Sequence, residues 1–88
     1  MKKISWHGHA KQRILERSID PKIVLLAIKE PEQVFTKNKF KVLHRRYYET
    51  AHRKHYLLRI FIEENPHEIV IYSVYKTSKI NKYWRGQL

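Results

Sequence analysis

Apolar residues recur at helical spacing in the first third of the chain and at nearly every second position in its later part. Across "HGHAKQRILERS", Trp6, Ala10 and Ile14 are four apart and Leu15 widens the stripe, which predicts an amphipathic helix. "SIDPK" breaks it. Asp20 is a good N-cap and Pro21 suits a first helical position, so a second helix begins there and runs through "PKIVLLAIKE" to Pro31. It sets Ile23, Leu26 and Ala27 on one side, with Val24 and Ile28 beside them. "KKISW", ahead of the first helix, has the length of a short strand.

Beyond Pro31 the period changes. "KFKVLHRRYYE" is rich in β-branched and aromatic residues on both faces. "HYLLRIFIEE" alternates, with Tyr56, Leu58, Ile60 and Ile62 on one face and Leu57, Arg59, Phe61 and Glu63 on the other. "ENPHE" is a turn. "EIVIYSVYK" then places Ile69, Ile71, Ser73 and Tyr75 opposite Val70, Tyr72, Val74 and Lys76. These two runs pair as a hairpin in the middle of a sheet. "TSKINKYWRGQL" reads as a short C-terminal helical turn, capped by Thr77 or Ser78 and stopped at Gly86. Helices grouped before strands predict an α+β fold: two N-terminal helices packed on one face of a small antiparallel sheet, with the other face open. At 88 residues, with no internal repeat or linker, residues 1–88 form a single domain.

Composition narrows the class. Hydrophobic residues make up 42% of the chain, enough for a modest core. There is no cysteine, which excludes disulfides and thiolate metal sites. No run of about 18 apolar residues occurs, so no membrane span is expected. "MKKISWHGHA" lacks the apolar region of a secretory signal, so a cytoplasmic location is expected.

Charge changes the picture more. Nineteen Lys and Arg against eight Asp and Glu give a net charge of +11. Such an excess opposes compaction by self-repulsion and suits a polyanionic partner, with nucleic acid ahead of anionic lipid and of an acidic protein. A solvated basic surface that only aids solubility is the plainer alternative. The cations are grouped. Lys37, Lys39, Lys41, Arg45, Arg46, Arg53, Lys54 and Arg59 share their region with one acid, Glu49, and Lys76, Lys79, Lys82 and Arg85 have none beside them.

Three motifs stand out: "HA-x-x-R-x-x-x-R" at residues 9–17, "A-x-x-x-PE" at Ala27 to Glu32, and "VYKTSKINKYW" at residues 74–84. Together with the order of elements they resemble the RelE/ParE-like toxin superfamily, and within it small proteins related to the BrnT toxins. The resemblance spans nearly the whole chain. It implies the toxin of a type II toxin–antitoxin pair that acts as a metal-independent endoribonuclease on mRNA, free or ribosome-bound. It also implies a cognate antitoxin protein as partner, needs no cofactor, and leaves room for a homodimer. By the same resemblance Tyr75 and Lys76, near the C-terminal end, are catalytic contacts to phosphate or base. A non-catalytic nucleic-acid-binding module of the same fold, or a ParE-like toxin directed at a protein target, are the alternatives.

The residues themselves fit this chemistry. Metal-free RNA cleavage needs a group to take the 2′-hydroxyl proton, cations for the charge building on phosphate, and a donor for the leaving oxygen. His9, Arg13 and Arg17 lie four apart and share one helical ridge. Histidine serves either proton role and arginine grips phosphate with two N–H groups. His9 and Arg13 join Tyr75 and Lys76 as catalytic candidates, and Arg17 is a binding candidate. The same three residues also have a structural reading, in which His9 bonds backbone at the helix start and Arg17 favours the negative end of the helix. Arg45, Arg46 and Arg59 lie in strand segments, where a charge is expensive unless it meets solvent, a partner or a ligand. Tyr47, Tyr48, Tyr56 and Tyr75 interleave with them and can stack bases, or simply edge the core. Lys79 and Lys82 are three apart and share one side of the C-terminal turn as phosphate contacts, while Tyr83 and Trp84 pin that turn to the body. His7-x-His9 and His52-x-x-His55 lack carboxylates at ligand spacing, so no metal is expected. With glycine only at Gly8 and Gly86, no Gly-rich phosphate loop exists. The site as read requires His9, Arg46 and Lys76 to converge on one exposed hollow.

Overall fold

The computed structural model describes residues 2–86. In chain order the elements are strand β1 (Lys3–Trp6), helices α1 (Gly8–Glu16) and α2 (Pro21–Lys29), strands β2 (Gln33–Lys37), β3 (Phe40–Glu49), β4 (Lys54–Glu64) and β5 (Glu68–Thr77), and the single-turn helix α3 (Ile80–Tyr83). The fold is α+β, with a five-stranded mixed sheet in the order β1-β5-β4-β3-β2. No helix among the described residues is long and apolar enough to cross a membrane.

The sheet is not wholly antiparallel as expected. β2 to β5 form an antiparallel meander, but β1 pairs parallel with β5, from Lys3 opposite Glu68 to Trp6 opposite Ile71. The two helices fall between β1 and β2, so the chain crosses the sheet before the meander begins and returns to β1 only with its last strand. β2 was not expected at all. "QVFTK" has no alternation to mark it, and becomes a strand by pairing with β3 from Gln33 opposite His44 to Lys37 opposite Phe40. Asn38 opens the two-residue turn between them with φ 56°, a left-handed conformation that asparagine tolerates better than most residues.

The helix starts follow their sequence signals. Asp20 Oδ1 accepts from the Lys22 N–H at 2.9 Å with Pro21 in the first turn, and His7 Nδ1 accepts from the His9 N–H at 3.2 Å. Ala10, Ile19, Val24 and Ala27 pack with Leu43, Leu58, Ile60, Ile62, Ile71 and Val74 in one core. Leu43, Ile60 and Val74 stand opposite one another across β3, β4 and β5 and define its sheet face.

A bulge in β5 decides what the other face shows. The register steps from Phe61 opposite Ser73 to Ile62 opposite Ile71, which leaves Tyr72 as an extra residue. Simple alternation puts Ile71, Ser73 and Tyr75 on one face. The inserted residue keeps Ile71 and Val74 in the core and turns Ser73 and Tyr75 to the opposite side. That side is partly covered, because the segment from Ser78 to Gly86 folds back over it.

Leu58 is fully buried in the core row next to Leu43 and Ile60. Leu58→Ala is expected to cost about 2–5 kcal/mol, read as a lower urea midpoint with an unchanged slope.

Candidate nucleic-acid interface

Gln33, His44, Arg59 and Tyr75 lie directly opposite one another across β2, β3, β4 and β5. His44 is fully buried. Its Nδ1 is 3.0 Å from Gln33 Oε1, and its Nε2 lies 3.0 Å from Arg59 Nε. An amide oxygen only accepts and a guanidinium only donates. These partners assign the proton to Nδ1 and leave Nε2 as the acceptor, so the ring is neutral. Burial lowers its pKa to about 4, with the charges of Arg59 and Arg85 acting in the same direction. Gln33 also binds the C-terminal segment. Its Nε2 donates to the Arg85 carbonyl at 2.6 Å, and its Oε1 accepts from the Arg85 N–H at 3.2 Å.

Arg59 is the central cation. Its Nε is used by His44, and the Tyr83 ring lies 4.3 Å from the guanidinium carbon. Burial lowers its pKa, Tyr83 and Tyr75 oppose that, and Arg85 adds to it. An arginine so placed stays charged. Arg59, Lys37, Lys82 and Arg85 line one open hollow of about 570 Å³, and none of these four is ion-paired among the described residues. Four cations with no counter-charge make a site that favours an anion.

Two further hollows continue from it. Through Lys82 it meets one bordered by Arg46, His55, Lys79 and Asn81. Through Lys37 it meets one bordered by His9, Phe61, Ser73 and Tyr75. The result is a run of cations and aromatic rings along one side of the sheet.

The helical ridge partly joins this side. Arg13 Nε donates to His9 Nε2 at 3.4 Å, and its Nη1 lies 3.5 Å from Glu16. Arg17, the C-cap of α1, sits 5.5 Å over the Tyr75 ring. His9, Arg13, Arg17, Tyr75 and Arg59 are therefore neighbours, and Lys79 and Lys82 flank the same side.

Other candidates are placed elsewhere. Lys76 stands opposite Leu58 and so belongs to the core face, where its Nζ is 2.8 Å from Glu49 Oε2 and 4.6 Å from the Tyr56 ring. The expected convergence of His9, Arg46 and Lys76 is not formed, because a strand sends Tyr75 and Lys76 to opposite faces. Arg46 is on the open face but already engaged. Its Nε and Nη2 bond Glu32 at 3.1 and 2.9 Å, and Trp84 stacks on it at 4.2 Å. Arg45 Nη1 donates to the Glu30 carbonyl at 2.6 Å and so closes the end of α2. Tyr47 and Tyr56 face each other on the core side, and burial holds the Tyr47 hydroxyl above its ordinary range.

Three further histidines have local partners: His7 stacks on Tyr72, His52 contacts Glu49, and His55 packs against Tyr48. Among the described residues no cluster of three metal-binding side chains occurs. Sequence reasoning did not single out His44 or Gln33. A pairing between the strands of Arg59 and His44 would have exposed the first; nothing marked the second. No protein family, curated protein or solved structure matches this chain.

The buried imidazole makes folding acid-sensitive. Between the ordinary histidine value near 6.5 and about 4, the unfolded chain takes up a proton that folded His44 refuses, so stability rises with pH across that window. The loss on acidification is expected to reach at most about 3 kcal/mol from this group. Glu64, lowered to about 2 by its bonds to Lys2 and then Lys41, extends the loss from about pH 4.5 downward. Urea titrations from about pH 7 down to about pH 2 check this, and His44→Gln is expected to flatten the upper part of the dependence.

Proposed function

We propose that the protein binds RNA across the face bearing Arg59 and acts there as a RelE-like, metal-independent endoribonuclease, the toxin of a type II toxin–antitoxin pair. The observation that supports it is the convergence of Arg59, Lys37, Lys82 and Arg85 without a carboxylate, next to His9 and Tyr75. The helical residues Ala10, Val24 and Ala27 share one core with the sheet, which agrees with two helices packed on one sheet face.

In this reading Arg59 and Lys37 hold a phosphodiester. His9 takes the proton of the 2′-hydroxyl, whose oxygen attacks phosphorus and forms a 2′,3′-cyclic phosphate. The bond to the 5′-oxygen breaks, and Tyr75 supplies the proton that this oxygen needs. Arg13, whose Nε donates to the one free lone pair of His9, releases that lone pair when it turns to the phosphate, and Arg17 steadies the Tyr75 ring. Lys76 and Arg46 have no part in the step. An antitoxin segment of acidic character would cover the same cationic run.

RNA binding without cleavage is the second reading. It is favoured by the engagement of Lys76 with Glu49 and of Arg46 with Glu32, which removes two expected phosphate contacts.

Labelled RNA incubated with the protein and a chelator separates the two. The enzyme reading expects cyclic-phosphate ends, and His9→Ala is expected to slow their appearance by about 100-fold or more while affinity stays within about threefold. Intact RNA with binding retained supports the second reading. Affinity is expected to fall with salt at a log–log slope near −0.7 for each phosphate held, and Arg59→Met to reduce that slope by about one such step. A flat salt response overturns both.

A further inference from the structure

The hollow bordered by His9 and Tyr75 differs in chemistry from the cationic one beside it. It encloses about 330 Å³, the small end of the range for ligand sites. Its walls are the rings of Phe40, Phe61, Tyr72 and Tyr75. Phe61 meets Phe40 at 82° and Tyr75 at 77°, with centroids 6.2 and 5.6 Å apart. Rings that pack edge to face leave part of each face uncovered, and all four are only half-buried.

Two polar residues, Ser73 and Asn38, border the same space. Ser73 Oγ is buried and has no hydrogen-bond partner among the described residues. A buried hydroxyl is nearly always bonded, so an orphan at the wall of a cavity points to a missing ligand atom. Asn38 projects from the β2–β3 turn, held at φ 56°, and brings an amide that both donates and accepts. Lys37 borders this hollow and the cationic one alike.

A free phosphate has no use for four rings, and an aliphatic chain has none for Ser73 and Asn38. A planar heterocycle with a hydrogen-bonding edge and a phosphate attached uses all of them. We propose that this hollow is a nucleobase pocket: the base lies against Phe61 and its neighbouring rings, Ser73 and Asn38 read its edge, and Lys37 reaches the attached phosphate in the adjoining hollow. The proposal deepens the reading of this face as an RNA interface and rests on it. It adds a determinant of base preference that electrostatics alone does not supply.

The test titrates the full chain with each of the four ribonucleoside 5′-monophosphates, and with ribose 5-phosphate and inorganic phosphate as probes without a base. Chemical shifts of the tyrosine rings report binding. At least one nucleotide is expected to bind about fivefold or more tighter than ribose 5-phosphate. Ser73→Ala removes only an unbonded hydroxyl, so it is expected to fold with undiminished stability and to change the ranking of the four bases. Phe61→Leu is expected to erase most of the advantage over ribose 5-phosphate. Equal binding of nucleotides and ribose 5-phosphate overturns the pocket, as does a base ranking unchanged in Ser73→Ala. An abasic oligonucleotide that binds as well as intact RNA also overturns it, while leaving the RNA interface standing. Should no oligonucleotide bind, the RNA reading fails, and the mononucleotide titration still decides the pocket.

Discussion

The hydrogen bond from Arg59 to His44 sets the electrostatics of the whole face. A guanidinium on a half-buried strand usually faces a carboxylate, and that carboxylate would cancel its charge. Here the partner is a neutral imidazole, which accepts the bond and leaves the positive charge intact. The imidazole stays neutral because it is buried and because Gln33 fixes its proton on the far nitrogen. Gln33 in turn holds Arg85 by two backbone bonds, so the β2 edge, the sheet centre and the C-terminal segment are tied through one side chain. Orientation and charge are thus supplied separately, which a carboxylate would not allow.

The net charge of +11 becomes tolerable through its distribution. Glu64 takes Lys2 and Lys41, Glu63 takes Lys39, Glu32 takes Arg46 and Glu49 takes Lys76. All but the half-buried Lys76–Glu49 pair are largely exposed, and exposed pairs contribute little stability each. Their consequence is spatial. These acids are matched with cations at the sheet ends, on the core side and, at Glu32–Arg46, on the open face, and none lines the hollow of Arg59, Lys37, Lys82 and Arg85. Repulsion is concentrated on one side of the sheet, where a polyanion relieves it.

Much of this architecture was legible in the chain, and the rest failed for identifiable reasons. Both long helices announced themselves by period and by Asp20–Pro21, and the three long strands by alternation or composition. β2 was hidden because its strand character comes from pairing with β3 and not from its own five residues. The bulge at Tyr72 was hidden because an inserted residue leaves no mark in a run that is apolar on both faces, and it reversed the expected partners of Ile71 and Tyr75. His44 was missed because Val42, Leu43 and His44 are all buried, so burial there does not distinguish one face from the other. Lys76 was carried by resemblance to a site beside Tyr75, although a strand places consecutive residues on opposite faces. On the helical ridge, His9 and Arg17 reach Tyr75, and Arg13 contacts His9.

The C-terminal segment is best understood as part of the interface and not as a plug over it. α3 spans four residues with no side-chain cap, far too few to hold a helix on its own. It stays because its aromatic rings lie on cations: Tyr83 on Arg59 and Trp84 on Arg46. Arg85 in turn covers Phe35 at 3.8 Å. A ring over a guanidinium occupies the face of that plane, whereas a phosphate binds along its edge. With Nε of Arg59 given to His44, the two remaining nitrogens still present a fork for two phosphate oxygens. Stacking by Tyr83 and capture of an anion are therefore compatible. Lys82 and Arg85 arrive with the same segment, so docking it raises the positive charge of the hollow that it borders. An anion bound there strengthens the docking in return, because it neutralises the repulsion between those two cations and Arg59.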